Sequence, residues 1–382
     1  MVMTQMSQGD PLAAAQRLAP RVSALRDRFD EDRRLPSELV DDLHAAGLFR
    51  LWLPRALGGA ELAPVPFLQV FEELARQDGS VGWCALIPAG SARLAGAMEE
   101  DAARTIFGTG RGIVVGTLNP SGRAASVPGG YRVSGRWGYG SFIDHADWLL
   151  GNCVTDDGGL RLCFFPRGEA EVIDVWQVTG LRATGSNDYR VADLFVPERH
   201  SVPLTDFQPP ARAPGPLYRI FMTSVFASSI AAVALGIARA AIEELLAIGA
   251  GKRIAGTAAA LRDKAMAQAD LARAEALLGS GRAYLFAELQ RLWDATVAGR
   301  ADMLQERATV KLAACHATDC AIQAVDLVYR LAGGAALHRG CRLDRCFRDI
   351  HAAGQHVVVS SPANLETVGK VLFGLPPGTE RF

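Results

Sequence analysis

Apolar residues recur at three- and four-residue spacing from early in the chain. Leu18, Val22, Leu25 and Phe29 fall on one face of a predicted helix. Pro36-Ser37-Glu38 opens a second helix carrying Leu39, Leu43 and Leu48, with Gly47 near its end. Leu53-Pro54-Arg55-Ala56-Leu57-Gly58-Gly59-Ala60 is a turn-forming break before a helix from Pro66 to Arg76. Asp78-Gly79-Ser80 is a turn and N-cap signal ahead of a helix over Val81–Gly96, and Glu99–Phe107 forms a shorter one.

The texture changes at Gly112. Ile113–Leu118 is strand-like and is followed by Pro120-Ser121-Gly122, read as a turn. Gly129-Gly130 turns the chain into Tyr131–Trp137, and Trp148–Cys153, Leu160–Phe165 and Val191–Val196 are further β-compatible runs. Antiparallel strands at this spacing predict a small sandwich or barrel. After Pro209, Pro210, Pro214 and Pro216 the pattern is helical again, over Val225–Ile248, Thr257–Leu278, Ala283–Ala298 and Met303–Leu331. The expected organisation is α+β: a helical region over 12–112, a central antiparallel β-domain over 113–208 and a C-terminal helical bundle over 209–382. No tandem repeat is visible.

Composition narrows the function classes. Hydrophobic residues make up 49% of the 382 and charged residues 21%, ordinary for a folded globular chain with a large core. The formal net charge is −1, from 40 Lys+Arg against 41 Asp+Glu, and with no basic block nucleic acid is not an expected partner. The apolar stretch Phe221–Ala241 contains Ser224, Ser228, Ser229 and Arg239; it reads as a buried bundle helix, too polar to span a membrane. Met1–Pro11 has neither a basic start nor an apolar run, so no signal peptide is expected there. The seven cysteines are odd in number and scattered, and Cys315…Cys320 and Cys341…Cys346 do not have zinc-knuckle spacing. No metal site is expected, and free thiols point to the cytoplasm.

The chain has no Gly-x-Gly-x-x-Gly or Gly-x4-Gly-Lys-Ser/Thr fingerprint and no Gly-x-Ser-x-Gly elbow. Gly333-Gly334 is a helix stop that also permits close approach of a phosphate. Arg348-Asp349-Ile350-His351-Ala352-Ala353-Gly354-Gln355-His356 concentrates polar chemistry. On a continuous helix it aligns Asp349, Ala352, Ala353 and His356, with His351 and Gln355 on an adjacent stripe. Spacing alone fits a polar helix at an interface; Arg348-Asp349 reads as a structural ion pair.

Several of these segments, in this order, are similar to the acyl-CoA dehydrogenase superfamily, and within it to the flavin-dependent monooxygenases (group D, two-component). The resemblance is carried by Leu53-Pro54…Gly58-Gly59, Asp78–Trp83, Gly129–Trp137, Ser141, His145-Ala146-Asp147-Trp148, Gly180–Ser186 with Asp188, Phe195–Glu198 and Arg348-Asp349…Gln355-His356. It spans Leu18 to Gly374. It implies an N-terminal helical domain, a central β-domain and a C-terminal four-helix bundle, assembled as a homotetramer. The flavin would lie between β-domain and bundle, and a neighbouring subunit would help to hold it.

The resemblance also implies roles. Reduced flavin (FMNH2 or FADH2), supplied by a separate NAD(P)H:flavin reductase, would react with O2 to a C4a-(hydro)peroxide that oxygenates a small organic substrate. Ser141 would hydrogen-bond near flavin N5 and C4a. His356, standing where some dehydrogenases of the superfamily keep a catalytic glutamate, would hold or relay a proton near neutral pH. Asn119, Pro120, Trp137, Tyr139 and Ser186 would contact the ring. Arg262, Gln268, Gly333 and Gly334 would contact the phosphates or adenine, in part from the adjoining subunit. Trp83, Phe142, Phe226, His351 and Gln355 would face the substrate, their aromatic share favouring an aromatic one. Phe142 and Asn187 depart from the family pattern. Three alternatives remain open: an N-oxygenase of an amine or amino sugar, an FAD acyl-CoA dehydrogenase using Glu243 or Glu244, and a flavin-binding protein without turnover.

Overall fold

The chain alternates helix, sheet and helix, and the three parts share one continuous apolar core. The computed structural model describes residues 9–251, 260–338, 340–379 and 381–382. The first part contains α1 (Pro11–Arg17), α2 (Ala19–Asp32), α3 (Ser37–Ala45), α4 (Pro64–Gln77), α5 (Gly79–Ser91) and α6 (Glu100–Phe107). Asp78 caps α5 as expected, its Oδ1 accepting from Ser80 N–H at 3.0 Å. Beyond Ser91 the predicted helix tightens into a 3-10 segment, Ala92–Ala97.

The strands are β1 (Val114–Val127), β2 (Gly130–Gly140), β3 (Trp148–Thr155), β4 (Leu160–Pro166), β5 (Glu171–Ile173), β6 (Asn187–Pro197) and β7 (Ser201–Leu204). They form one seven-stranded sheet in the order β5-β6-β2-β1-β3-β4-β7. Two expectations are corrected here. The sheet is mixed, because the chain crosses from β2 to the far side of β1 and there runs parallel to it as β3. Pro120-Ser121-Gly122 is not a turn: β1 continues through it, with the register against β3 slipping between Thr117 and Gly122. A proline at an irregularity removes no ladder bond, so it need not end the strand.

The last part comprises α7 (Met222–Gly251), α8 (Ala265–Val297), α9 (Leu304–Ala332), α10 (Arg342–Ala353) and α11 (Ser361–Leu372). α7 is the bundle's central helix, packed against α4, α5, α8, α9 and α10. It is long and apolar enough to cross a membrane, yet 89% of its most apolar window is buried within the protein. The two helices expected on either side of Gly279-Ser280-Gly281 are one continuous α8; the predicted start at Thr257 lies outside the described residues. Gly281 is a contact device, since a Cβ there would sit 3.1 Å from Ala317 Cα and Cys320 Cβ on α9. α10 stops at Ala353, so His356 lies beyond the helix in the turn before α11 and not on the predicted stripe.

Candidate functional site

The parts meet where α5, the end of β2, the turn over 181–186, α7 and the turn after α10 converge. β2 leaves the ladder irregularly, its register against β6 slipping between Trp137 and Gly140. Tyr139 (φ 62°) and Phe142 (φ 68°) on either side of Ser141 hold left-handed backbone, which non-glycine residues adopt only when the surroundings enforce it. Ser141 is thereby fixed beneath α5, where its Oγ accepts from Trp83 Nε1–H at 3.2 Å.

Ser141 belongs to a chain of hydroxyls. Its Oγ lies 2.7 Å from Ser186 Oγ, which lies 2.7 Å from Thr184 Oγ1, and Thr184 donates to Leu181 O at 2.8 Å. Each hydroxyl has a single proton. Thr184 spends its proton on Leu181, so Ser186 donates to Thr184 and Ser141 donates to Ser186. The chain is polarised in one sense, and Ser141 is left with acceptor capacity only. Serines 141 and 186 are both buried, and Thr184, which sequence reasoning did not single out, sets the direction.

His356 closes the other side. Its ring centroid is 5.6 Å from that of Trp83 and 5.3 Å from that of Phe226 on α7. Val358 N–H donates to His356 Nδ1 at 3.3 Å, so the neutral ring carries its proton on Nε2. Burial, and then the Lys311 ammonium, push its pKa down to about 4. His356 is therefore a neutral N–H donor at physiological pH, not the near-neutral proton relay expected of it. Lys311 on α9 is itself buried, with its Nζ 3.5 Å from Val358 O, and burial pulls its pKa to about 8.

Asp349 ties this wall to the hydroxyl chain. It is not paired with Arg348, which instead binds Asp344 (2.8 Å) and Asp30 (3.1 Å). Asp349 Oδ1 accepts from Leu181 N–H at 2.6 Å, bracing α10 against the turn that carries Thr184 and Ser186. Its carboxyl is raised above the usual range by burial and by nearby Asp78.

An apolar cavity of about 80 Å³ adjoins Phe226, walled by Trp52, Leu86, Leu118, Leu150, Met222 and Arg93 among others. Other predicted residues are dispersed. Trp137 is a core residue, fully buried, stacked on Tyr189 and donating to Asn152 O, so it does not face a flavin. Phe142 packs on Phe49 and His145 and does not line the cavity. His351 pairs with Asp326 at 2.9 Å and Gln355 is exposed, so neither joins Trp83, Ser141 and His356. Asn187 Oδ1 accepts from Val175 and Trp176 N–H, a structural role. Tyr139 is 74% exposed and Asn119 is exposed beside half-buried Pro120, on a polar rim of the β-domain. Arg262 and Gln268 are exposed and bonded to each other, while Gly333 caps α9 with φ 51° and Gly334 faces open space. These four lie apart from the cavity. Glu243 is held by Arg76, and the helical rise from Ser229 at the cavity to Glu243 is about 21 Å. It cannot serve as a base there.

The arrangement fits a reduced flavin. An oxygen with only acceptor capacity at Ser141 complements a ring N–H, and the exposed Tyr139 and Asn119 rim leaves room beside it.

Comparison with known proteins places this geometry. Residues 12–98 match "Acyl-CoA dehydrogenase, N-terminal domain" and residues 228–361 match "Acyl-CoA dehydrogenase, C-terminal domain". The chain is 29% identical to an indole-3-acetate monooxygenase of Pseudomonas putida, over 96% of this chain and 95% of that one. It is 30% identical to the flavin-dependent monooxygenase oxygenase subunit HsaA of Rhodococcus jostii, over 94% and 98%. XiaF from Streptomyces sp., solved in complex with FADH2 and glycerol, superposes with a TM-score of 0.89 at 25% identity, covering 97% of this chain and 96% of that one.

Proposed function

The chain belongs to the acyl-CoA dehydrogenase superfamily, among its flavin-dependent monooxygenases, and from that premise we propose that it is the oxygenase component of a two-component system that hydroxylates a small aromatic substrate. The observation that carries this reading is the polarised chain ending at Ser141, whose partner Trp83 also meets the His356 ring. Bound reduced flavin supplies two electrons, so that one atom of O2 enters the substrate and the other leaves as water.

The chain's own residues then have distinct tasks. Ser141 would accept a hydrogen bond from the N–H of the reduced ring, holding it beneath α5. His356 donates Nε2–H to an acceptor on the substrate and orients it between Trp83 and Phe226. Leu86, Leu118, Leu150 and Val225 keep water from the reacting atoms. Asn119, Pro120, Tyr139 and Ser186 would flank the ring. Arg262, Gln268, Gly333 and Gly334 would hold the phosphate and adenine end of FAD across a subunit boundary, and the FADH2 complex of XiaF supports FAD as the flavin.

The exposed apolar residues of the last part, Met266 (77%), Leu337 (71%) and Phe373 (88%), support burial in a homotetramer. Without a dinucleotide fingerprint in the chain, reduced flavin comes from a separate NAD(P)H:flavin reductase. Seven free cysteines accord with a cytoplasmic setting.

The test is turnover with reduced FAD, a reductase and isotopically labelled O2 across phenols and indoles, read by product mass. One labelled oxygen per product is expected. Oxidation of acyl-CoA thioesters with no oxygenated product would overturn the reading. Light scattering checks the tetramer.

A further inference from the structure

Arg93 lies in the 3-10 segment after α5, is 4% exposed and stands in the wall of the cavity. Its Nε donates to Leu217 O at 2.9 Å and its Nη2 to Ile220 O, fastening it to the entry of α7. Its Nη1 is buried and has no hydrogen-bond partner among the described residues. Among the described residues no carboxylate pairs with it either: the neighbour that bears on its charge is the Tyr218 phenol, and burial draws its pKa to about 10, which leaves it cationic at neutral pH. An unpaired buried charge is costly, so a fold retains one only where something else supports it.

Two more buried polar atoms nearby in the chain lack partners among the described residues, Tyr218 Oη and Thr223 Oγ1, the latter in the first turn of α7. A helix N-terminus favours an anion through its unsatisfied N–H groups and dipole. The cavity that Arg93 walls is otherwise mostly apolar and extends to Phe226, whose ring meets His356. Phe226 lies one turn into α7, about 6 Å of helical rise from Met222, which lines the same cavity as Arg93, so the cation and the reacting end border one small space.

We propose that Arg93 is the carboxylate anchor of the substrate site, and that the substrate is a one- or two-ring aromatic acid whose carboxylate lies on Arg93 and whose ring lies between Trp83 and Phe226. This rests on the monooxygenase reading for the identity of the site, but the anchor is read from binding alone. The carboxylate supplies the acceptor that Nη1 lacks, and its charge offsets the guanidinium. A neutral amide of the same shape offers the oxygen without the charge.

The experiment is calorimetric binding of indole-3-acetate and 4-hydroxyphenylacetate against their primary amides, on the flavin-loaded protein without turnover. A charge-assisted anchor predicts that the preferred acid binds about tenfold to hundredfold more tightly than its amide. Arg93→Gln removes that preference while amide affinity stays within a few-fold; Arg93→Lys, which keeps the charge, retains part of it. Equal affinity for acid and amide in the unaltered protein overturns the proposal and needs no variant, so a misfolded Arg93→Gln does not leave the question open. Oxygenation of neutral phenols and indoles with no preference for acids overturns the anchor alone. An acid preference without any oxygenated product supports the anchor and overturns the monooxygenase reading.

Discussion

Replacing Ser141 by alanine removes the terminal member of the hydroxyl chain and separates its structural from its catalytic role. Trp83 Nε1–H loses its acceptor inside the protein, and Ser186 Oγ loses its donor. Leaving one buried donor unmade costs about 1–3 kcal/mol of stability. The bond from Ser141 to a ring N–H is a separate loss of about 0.5–1.5 kcal/mol, or roughly twofold to tenfold in the efficiency with which electrons reach product. The assay is product formed against hydrogen peroxide released per flavin oxidised, with a denaturant melt on the same sample. Ser141→Ala should lower stability and divert electrons to peroxide. Gly281→Val, crowded by α9 and outside the site, should cost a similar amount, about 1–3 kcal/mol, without touching the ring contact, so it should lower coupling far less at comparable stability. Equal uncoupling in both variants, or unchanged coupling in Ser141→Ala at the lowered stability, would refute a flavin-facing role for this hydroxyl.

Other expectations are independent of that one. His356 binds protons less readily when folded (about 4) than a free imidazole does (6.5), so the unfolded chain takes up more protons between those values. Its contribution to stability is present above pH 6.5 and fades as pH falls toward 4; His356→Phe should flatten that part of the stability–pH curve, measured by urea melts. Lys311→Met removes a cation that lowers the His356 pKa, so the imidazole should titrate at higher pH by NMR. Asp349→Ala unties Leu181 N–H and should cost about 1–3 kcal/mol, whereas Asp349→Asn keeps an acceptor and should cost less; thermal melts distinguish them. Gly281→Val places a branched side chain where even a Cβ is crowded at 3.1 Å by α9, and should destabilise by about 1–3 kcal/mol in denaturant.

Periodicity was sufficient for element type over most of the chain. The helix–strand–helix order, the Asp78 cap and buried α7 follow from spacing and from one capping residue, which are local properties. Local pattern failed where neighbours decide. Gly279-Ser280-Gly281 has the composition of a break, but the helix runs through it, and at Gly281 α9 packs so closely that a Cβ would be crowded. Pro120-Ser121-Gly122 has the composition of a turn, yet sheet pairing on both sides carries β1 through it.

The site shows the same division. Trp83, Ser141, Ser186, Phe226 and His356 were legible as chemistry-bearing residues at motif positions, and the structure gathers them; His351, Gln355, Trp137 and Phe142 looked equally suitable and are employed elsewhere. The sequence by itself determined which elements form and which side chains are available. The tertiary structure decided the sense of the Ser141–Ser186–Thr184 chain, the neutrality of His356 and the isolation of the Arg93 cation. Proton direction, desolvation and the absence of a counter-ion depend on groups distant in the chain that only folding brings within a few ångströms of one another.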